Sequence, residues 1–306
     1  MATEAPAARP PSGRTWPSAL DDAGPIAAVV IVLIVLWYIA AVVLNAAIVR
    51  DAFERAGTPY DTAELVEATL AQDRPLLPAP HQVVEEIGKS VFGVLPTSKR
   101  SLVYHGWVTI SSTLLGFVFG TLLGVALAVA IVHVKALEKS LMPWIVSSQT
   151  IPILAIAPIV IVVMGSIGIR GLVPKAIIST YLCFFPVAIG MVKGLTSPDV
   201  LARDLMRTYS ATAAQTFWKL RMPASVPFLF ASLKVAVAIA LVGAIVAELP
   251  TGAQAGLGAR LLSGSYYGQT VQIWAALFAA AFLAAVLVGL VGLAERVTAA
   301  LMGARA

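Results

Sequence analysis

The side chains able to act as acids, bases, nucleophiles or metal ligands are few in this sequence and far apart. Its three histidines, His81, His105 and His133, fall in different segments, and its one cysteine, Cys183, lies inside an apolar run. There is no HExxH pair, no paired cysteine and no serine nucleophile elbow, so neither metal-assisted nor nucleophilic hydrolysis has the residues it needs. A single cysteine precludes an internal disulfide and argues against a metal cluster; Cys183 reads as a small packing residue. Gly252, Gly256 and Gly258 make a GxxxGxG run. It lacks the Gly-Lys-Ser/Thr ending with which a phosphate loop holds a nucleotide, so no motif for hydrolysing ATP is present. The expectation is a chain that is not an enzyme, with no catalytic residue, no metal ligand and no cofactor of its own.

What remains is a small set of polar or helix-breaking residues within apolar runs. Ionisable groups in such places are costly and are functional hypotheses by default. Lys234 lies about two turns into the run Val226–Ala247, where its stem could carry the ammonium to a membrane interface. Glu248 closes the same run in VAELPTGAQAGLG. It either rests at the interface or hydrogen-bonds the glycine-rich stretch beyond it and steadies a gate. Pro152 and Pro158, in SSQTIPILAIAPIVIVVMG, each remove an amide donor and obstruct the preceding turn, so that run should be a kinked helix. Carbonyls freed within a bilayer need neighbouring partners or a water-lined cavity, which makes Gln149, Pro152, Pro158 and Glu248 the candidate lining of a translocation path. Kinks that serve packing alone are the competing account. Ser147, Ser148, Gln149 and Thr150 add a polar cluster at one end of this run, and Pro186 should bend the next. Gly116, Gly120 and Gly124 recur every four residues on one helix face, suiting close packing inside the molecule or a seam between copies.

These residues belong to a chain that water does not accommodate. Hydrophobic residues make up 59% of it and charged residues only 12%, with a mean hydropathy of +0.88, against about 45–50% and 25% in soluble domains. A bilayer core requires roughly 20 apolar residues in helix. Six runs qualify: Pro25–Val49, Trp107–Val134, Leu141–Met164, Leu172–Met191, Val226–Ala247 and Ile273–Leu293. Residues 1–24, which include APAARPPSGRTWPSAL, read as a disordered cytoplasmic tail. The first run is too long for a signal-peptide core and is taken as a retained helix over residues 25–49. Residues 50–101 form an extracytoplasmic aqueous segment with short amphipathic helices such as HQVVEEIGKSVFGVL. Residues 102–296 hold the other five spans, and 297–306 form a second cytoplasmic tail. The net charge is +5. Its basic residues are spread among the connecting segments, so nucleic acid is not an expected partner. The two shorter outer loops contain only Arg170, Lys175 and Arg260, and the positive-inside rule therefore places both termini in the cytoplasm.

The segment between the fourth and fifth runs, SPDVLARDLMRTYSATAAQTFWKLRMPASVPFLFASLKVA, carries more pattern than a connector requires. Ser197-Pro198 starts a helix with Asp199 in its first turn. Leu201, Leu205 and Met206 share a face, with Asp204 and Arg207 among the polar positions. The pattern breaks at Tyr209 and Ser210. Thr212 with Gln215 then makes a capping box for a second short helix, which Pro223 ends. Leu205, Met206, Tyr209, Phe217 and Trp218 could fill a groove in a protein partner. An interfacial helix lying on lipid headgroups would use Trp218, Lys219 and Arg221 equally well.

This segment resembles the EAA loop of binding-protein-dependent ABC importer permeases, where a glycine turn leads into a short helix ending in aliphatic-x-Leu-Pro. Leu220-Arg221-Met222-Pro223 occupies that ending, with Met222 in place of the common leucine. Ser210 stands where the family usually has glycine, and serine there costs more backbone strain. The likeness runs from about Leu77 to Arg296: LLPAPHQVVEEI resembles the family's "LPSP" stretch, TIPILAIAPIVIVVMGSIG its proline-bearing third span, and VAELPTGAQAGLG its Ala-Glu followed by Gly-Leu-Gly. The subgroup it is most similar to is that of nitrate, sulfonate, taurine and pyrimidine thiamine-precursor permeases.

The resemblance implies an all-α membrane protein with six transmembrane helices of the type I (MetI-like) importer kind and a cytoplasmic coupling helix between helices 4 and 5. It implies a permease subunit in the inner membrane that forms the path for a small solute. Its implied partners are a cytoplasmic dimer of ABC ATPases, which hold ATP and Mg, an extracytoplasmic substrate-binding protein, and a second permease copy, identical or related. Asp204, Leu205, Met206, Arg207, Tyr209, Ser210, Ala211, Phe217, Arg221 and Pro223 are the implied ATPase-coupling residues. Two other classes compete. An ion-coupled secondary transporter would call for intramembrane carboxylates or paired discontinuous helices, and a membrane-embedded enzyme for a catalytic cluster. Neither set is evident in the sequence.

Overall fold

A computed structural model describes residues 19–250 and 255–303, and every regular element among them is helical. The chain divides into two compact units between Pro80 and His81. The first contains α1 (Ala19–Ala56) and α2 (Thr62–Leu70). α1 leaves Val29, Leu33, Leu36 and Val43 largely exposed, as a helix does when lipid is its solvent. Beside the buried Ala41 and Val49, α1 also buries the polar Asn45. It is only 1% exposed, donates to Leu77 O at 2.9 Å and accepts from Leu76 N at 2.7 Å. Trp37 Nε1 donates to Pro78 O at 3.0 Å. These bonds strap the LLPAP stretch to α1 by satisfying backbone groups that its prolines leave without a helix.

The second unit carries α3 (Pro80–Phe92), α4 (Leu102–His133), α5 (Lys135–Ser148), α6 (Ile153–Ser166), α7 (Leu172–Thr196), α8 (Val200–Thr208), α9 (Ala213–Thr216), a π-turn (Phe217–Arg221), α10 (Met222–Glu248), α11 (Leu257–Tyr266) and α12 (Thr270–Leu301). α4, α7 and α10 pack most extensively and form its centre. The glycine stripe of α4 makes this closeness possible. A Cβ on Gly124 would stand 2.7 Å from Phe184 O and 2.8 Å from Val187 Cβ. One on Gly120 would strike Cys183 Sγ, and one on Gly116 would strike Ser179 Cβ. The stripe therefore serves packing within the molecule. Cys183 is fully buried there, packed with Val187, Ala236 and Ala240. At one end, Leu102, Leu257, Ala276 and Ala280 join α4, α11 and α12.

Five helices are long and apolar enough to cross a membrane, and α5 with α6 makes a sixth if that pair is one broken span. The expected kinked third span, Leu141–Met164, is thus corrected to two helices at 96° to one another. The break comes at Pro152, which caps α6 and cannot donate to the last turn of α5. The polar cluster closes that turn instead: Ser148 Oγ donates to Ile145 O at 2.7 Å, Thr150 Oγ1 to Ser147 O at 2.7 Å, and Tyr181 OH to Ser148 O. Pro158 and Pro186 lie inside α6 and α7 without ending them.

Three other expectations change. Residues 1–18 of the predicted tail lie outside the described residues, but from Ala19 the chain is helical, and α12 continues to Leu301 across the first half of the predicted second tail. Lys234 pairs with Glu295 of α12 instead of reaching for an interface. Pro223 does not end the second short helix: α9, the π-turn and α10 form one continuous helix from Ala213 to Glu248. Met222 N–H bonds Phe217 O, five residues back. This wider turn gives the proline ring the room that an ordinary α-turn denies it.

Candidate functional site

The coupling segment is built from local capping. Asp199 is the N-cap of α8, not a first-turn residue, and its Oδ1 accepts from Ala202 N at 2.7 Å. α8 closes on a Schellman arrangement: Ser210 N donates to Arg207 O at 2.8 Å and Ala211 N to Met206 O at 2.9 Å. Ser210 therefore sits at the left-handed position, with φ of +50°, where glycine is usual, and it is the only described non-glycine residue with positive φ. The next helix starts on the predicted capping box: Gln215 N donates to Thr212 Oγ1 at 3.2 Å, and Thr212 N to Gln215 Oε1 at 2.8 Å.

Two faces result. Leu201, Leu205, Tyr209 and Trp218 point away from the protein and stay exposed. Asp204, Arg207, Ala211, Phe217 and Arg221 instead border one pocket of about 550 Å³. Arg207 Nη1 lies 3.3 Å from Asp204 Oδ1, an exposed pair of small energetic worth. Phe217, expected as a partner-facing anchor, is turned inward. It is buried against Ala128, Met191 and Leu195, with its ring 5.2 Å from that of His133 and 5.1 Å from that of Trp218. It fixes the segment to the ends of α4 and α7. Met206 is half-buried, and Pro223 is exposed at the start of α10.

The four expected path residues do not share one surface. Pro152 and Pro158 are exposed, Gln149 is half-buried, and Glu248 is entirely enclosed. Glu248 is the centre of a buried polar clasp. Its carboxylate accepts from Thr109 Oγ1 at 2.9 Å, Lys175 Nζ at 3.1 Å and Gly258 N at 2.9 Å. Lys175 Nζ also donates to Ala255 O at 2.9 Å, and Leu257 N donates to Thr109 Oγ1 at 2.8 Å. His105, one turn before Thr109, accepts from Gly256 N at 3.0 Å through Nδ1. Gly256 has φ of +125°, and any Cβ there would overlap the Glu248 carboxylate. The clasp ties α4, α7 and α10 to the strand of backbone entering α11, and it satisfies a buried charge with an opposite one. Sequence reasoning treated His105 as isolated and Lys175 as a loop residue. The available signal was a lysine opening one apolar run and a lone glutamate closing another.

A helical bundle with lipid-facing apolar surfaces and a capped amphipathic segment between two of its spans defines a polytopic membrane protein. The chain belongs to the family described as "Binding-protein-dependent transport system inner membrane component", which matches residues 120–300. It is similar to the formylaminopyrimidine transport permease protein ThiX of Halalkalibacterium halodurans, 31% identical over 60% of this chain and 68% of that one. It is also similar to the riboflavin transport system permease protein RibX of Chloroflexus aurantiacus, 29% identical over 72% and 78%. The putative aliphatic sulfonates transport permease protein SsuC of Bacillus subtilis is 27% identical over 70% and 80%. The chain is thus a multi-pass inner-membrane permease, the translocation subunit of an ABC importer for a small solute, and not an enzyme.

Proposed function

We propose that the segment from Asp199 to Pro223 is the element through which this permease is driven by a cytoplasmic dimer of ABC ATPases, which alone hold and hydrolyse ATP with Mg. The observation that carries this is the pairing of two faces. Phe217 anchors the segment to α4 and α7, while Leu201, Leu205, Tyr209 and Trp218 remain exposed beside it. A connector that only crossed between spans would have no use for an anchored element with an unpartnered apolar face. Asp204, Arg207, Ser210, Ala211 and Arg221 complete the docking surface, with Met206 supporting it from below. Because the π-turn makes α9 and α10 one helix, movement of the segment is transmitted directly along α10.

In this reading both termini are cytoplasmic, and two permease copies, taken here as identical, face one another across the path. An extracytoplasmic binding protein selects the solute. Glu248 steadies the outer end of the bundle through the clasp, and Gln149, Pro152 and Pro158 mark the break where the path widens.

Arg207→Glu tests the coupling role. In the reconstituted complex it should lower binding-protein-stimulated ATP hydrolysis and uptake by roughly tenfold or more, the effect of losing an interface hot spot. Membrane insertion and thermal stability should stay as in the wild type. Unchanged uptake and stimulation in that variant would remove the segment from the coupling route.

A further inference from the structure

The pocket beside the coupling segment is unusually rich in cations. Its wall of about 550 Å³ includes Arg203, Arg207, Arg221 and His133, and Asp204 is its one acid. Three guanidinium groups against one carboxylate leave a charge of about +2 at neutral pH. The guanidinium groups come from two elements, Arg203 and Arg207 from α8 and Arg221 from the π-turn, and His133 adds an imidazole from the end of α4. Arg203 uses only Nε internally, donating to Asp199 O at 3.3 Å. Arg207 engages Asp204 through Nη1 alone. His133 Nδ1 is held by Val129 O at 2.8 Å.

We infer that this pocket binds a phosphate group, carried by an anionic lipid headgroup or free in solution. A carboxylate fills one guanidinium fork, whereas a phosphate presents enough acceptor oxygens to engage two or three at once. Depth supports the headgroup. The apolar length of α4 ends at His133, and Lys219 is exposed on the adjoining π-turn, so the pocket lies at the depth of a membrane–water boundary. A bound phosphate bridges α8 to the π-turn and stiffens the coupling segment. Arg207 and Arg221 also belong to the proposed docking surface, so the test is made on the permease without an ATPase.

The full chain is purified in neutral detergent and compared with Arg203→Gln and with Arg203→Gln/Arg221→Gln. In one arm, native mass spectrometry measures retention of phosphatidylglycerol against phosphatidylcholine. In the other, thermal unfolding is followed in phosphate and in chloride at equal ionic strength. A headgroup site predicts preferred phosphatidylglycerol retention that falls roughly tenfold in the double variant, the loss of charge-assisted hydrogen bonds. A site for free phosphate predicts a phosphate-specific rise in unfolding temperature that the double variant loses. Arg203 is exposed, so its single replacement keeps the fold and gives a partial effect. Arg296→Gln, elsewhere on α12, should match the wild type in both arms. The inference is overturned if wild type and double variant behave alike in both, or if Arg296→Gln weakens binding as much.

Discussion

At the residue scale, Lys175 and Glu248 test whether the clasp is held by charge. Both are buried, and they are 73 positions apart in sequence. Lys175→Met leaves the Glu248 carboxylate enclosed and uncompensated, which should destabilise the protein by about 3–5 kcal/mol. Lys175→Met combined with Glu248→Leu removes both charges and should recover most of that loss, as read from thermal unfolding in detergent. If the double variant is no more stable than the single, charge compensation is not what the lysine provides. Ser210 makes the opposite case. At φ of +50° a serine bears a left-handed penalty that glycine escapes. Ser210→Gly should stabilise the α8 end by roughly 0.5–1 kcal/mol and Ser210→Val should destabilise it by at least as much. Hydrogen exchange over residues 205–216 reports both. Ser210 was visible in the sequence because its deviation falls inside a short capped motif. The clasp was not, because Thr109 and Glu248 are 139 positions apart and only the tertiary fold brings them together.

At the element scale, α4 and α7 depend on the absence of side chains. Gly120→Leu would drive a branched side chain into Cys183 and the α7 backbone and should cost about 3 kcal/mol or more. Gly289 on α12 has open space around it, so Gly289→Leu should stay within about 0.5 kcal/mol of the wild type. Equal effects at the two sites would contradict the packing assigned to the stripe. The helices themselves are legible from composition, since apolar length decides a span. Their interruptions are less so. Pro152 breaks a helix because the neighbouring Ser148 and Thr150 hydroxyls close the preceding turn. Pro223 does not, because a π-turn makes room for it. One residue type thus has opposite outcomes, decided by the turn before it and not by the proline.

At the scale of the whole molecule, the fold places a rigid polar clasp at one end of the α4–α7–α10 centre and an exposed, capped segment at the other end of α10. Under the proposed coupling, a movement imposed on the segment would reach the clasp along a single helix, Ala213–Glu248. Among the described residues, the Lys175–Glu248 and Lys234–Glu295 pairs are ionisable pairs on the spans that an ion-coupled transporter could use, so energy source is the sharpest question to put to the protein. The direct measurement is solute uptake into proteoliposomes holding this permease with or without its ATPase and binding protein. Uptake is predicted to require ATP inside the ATPase-facing compartment together with both partners, and to be indifferent to an imposed proton or sodium gradient. Gradient-driven uptake by the permease alone would contradict the account.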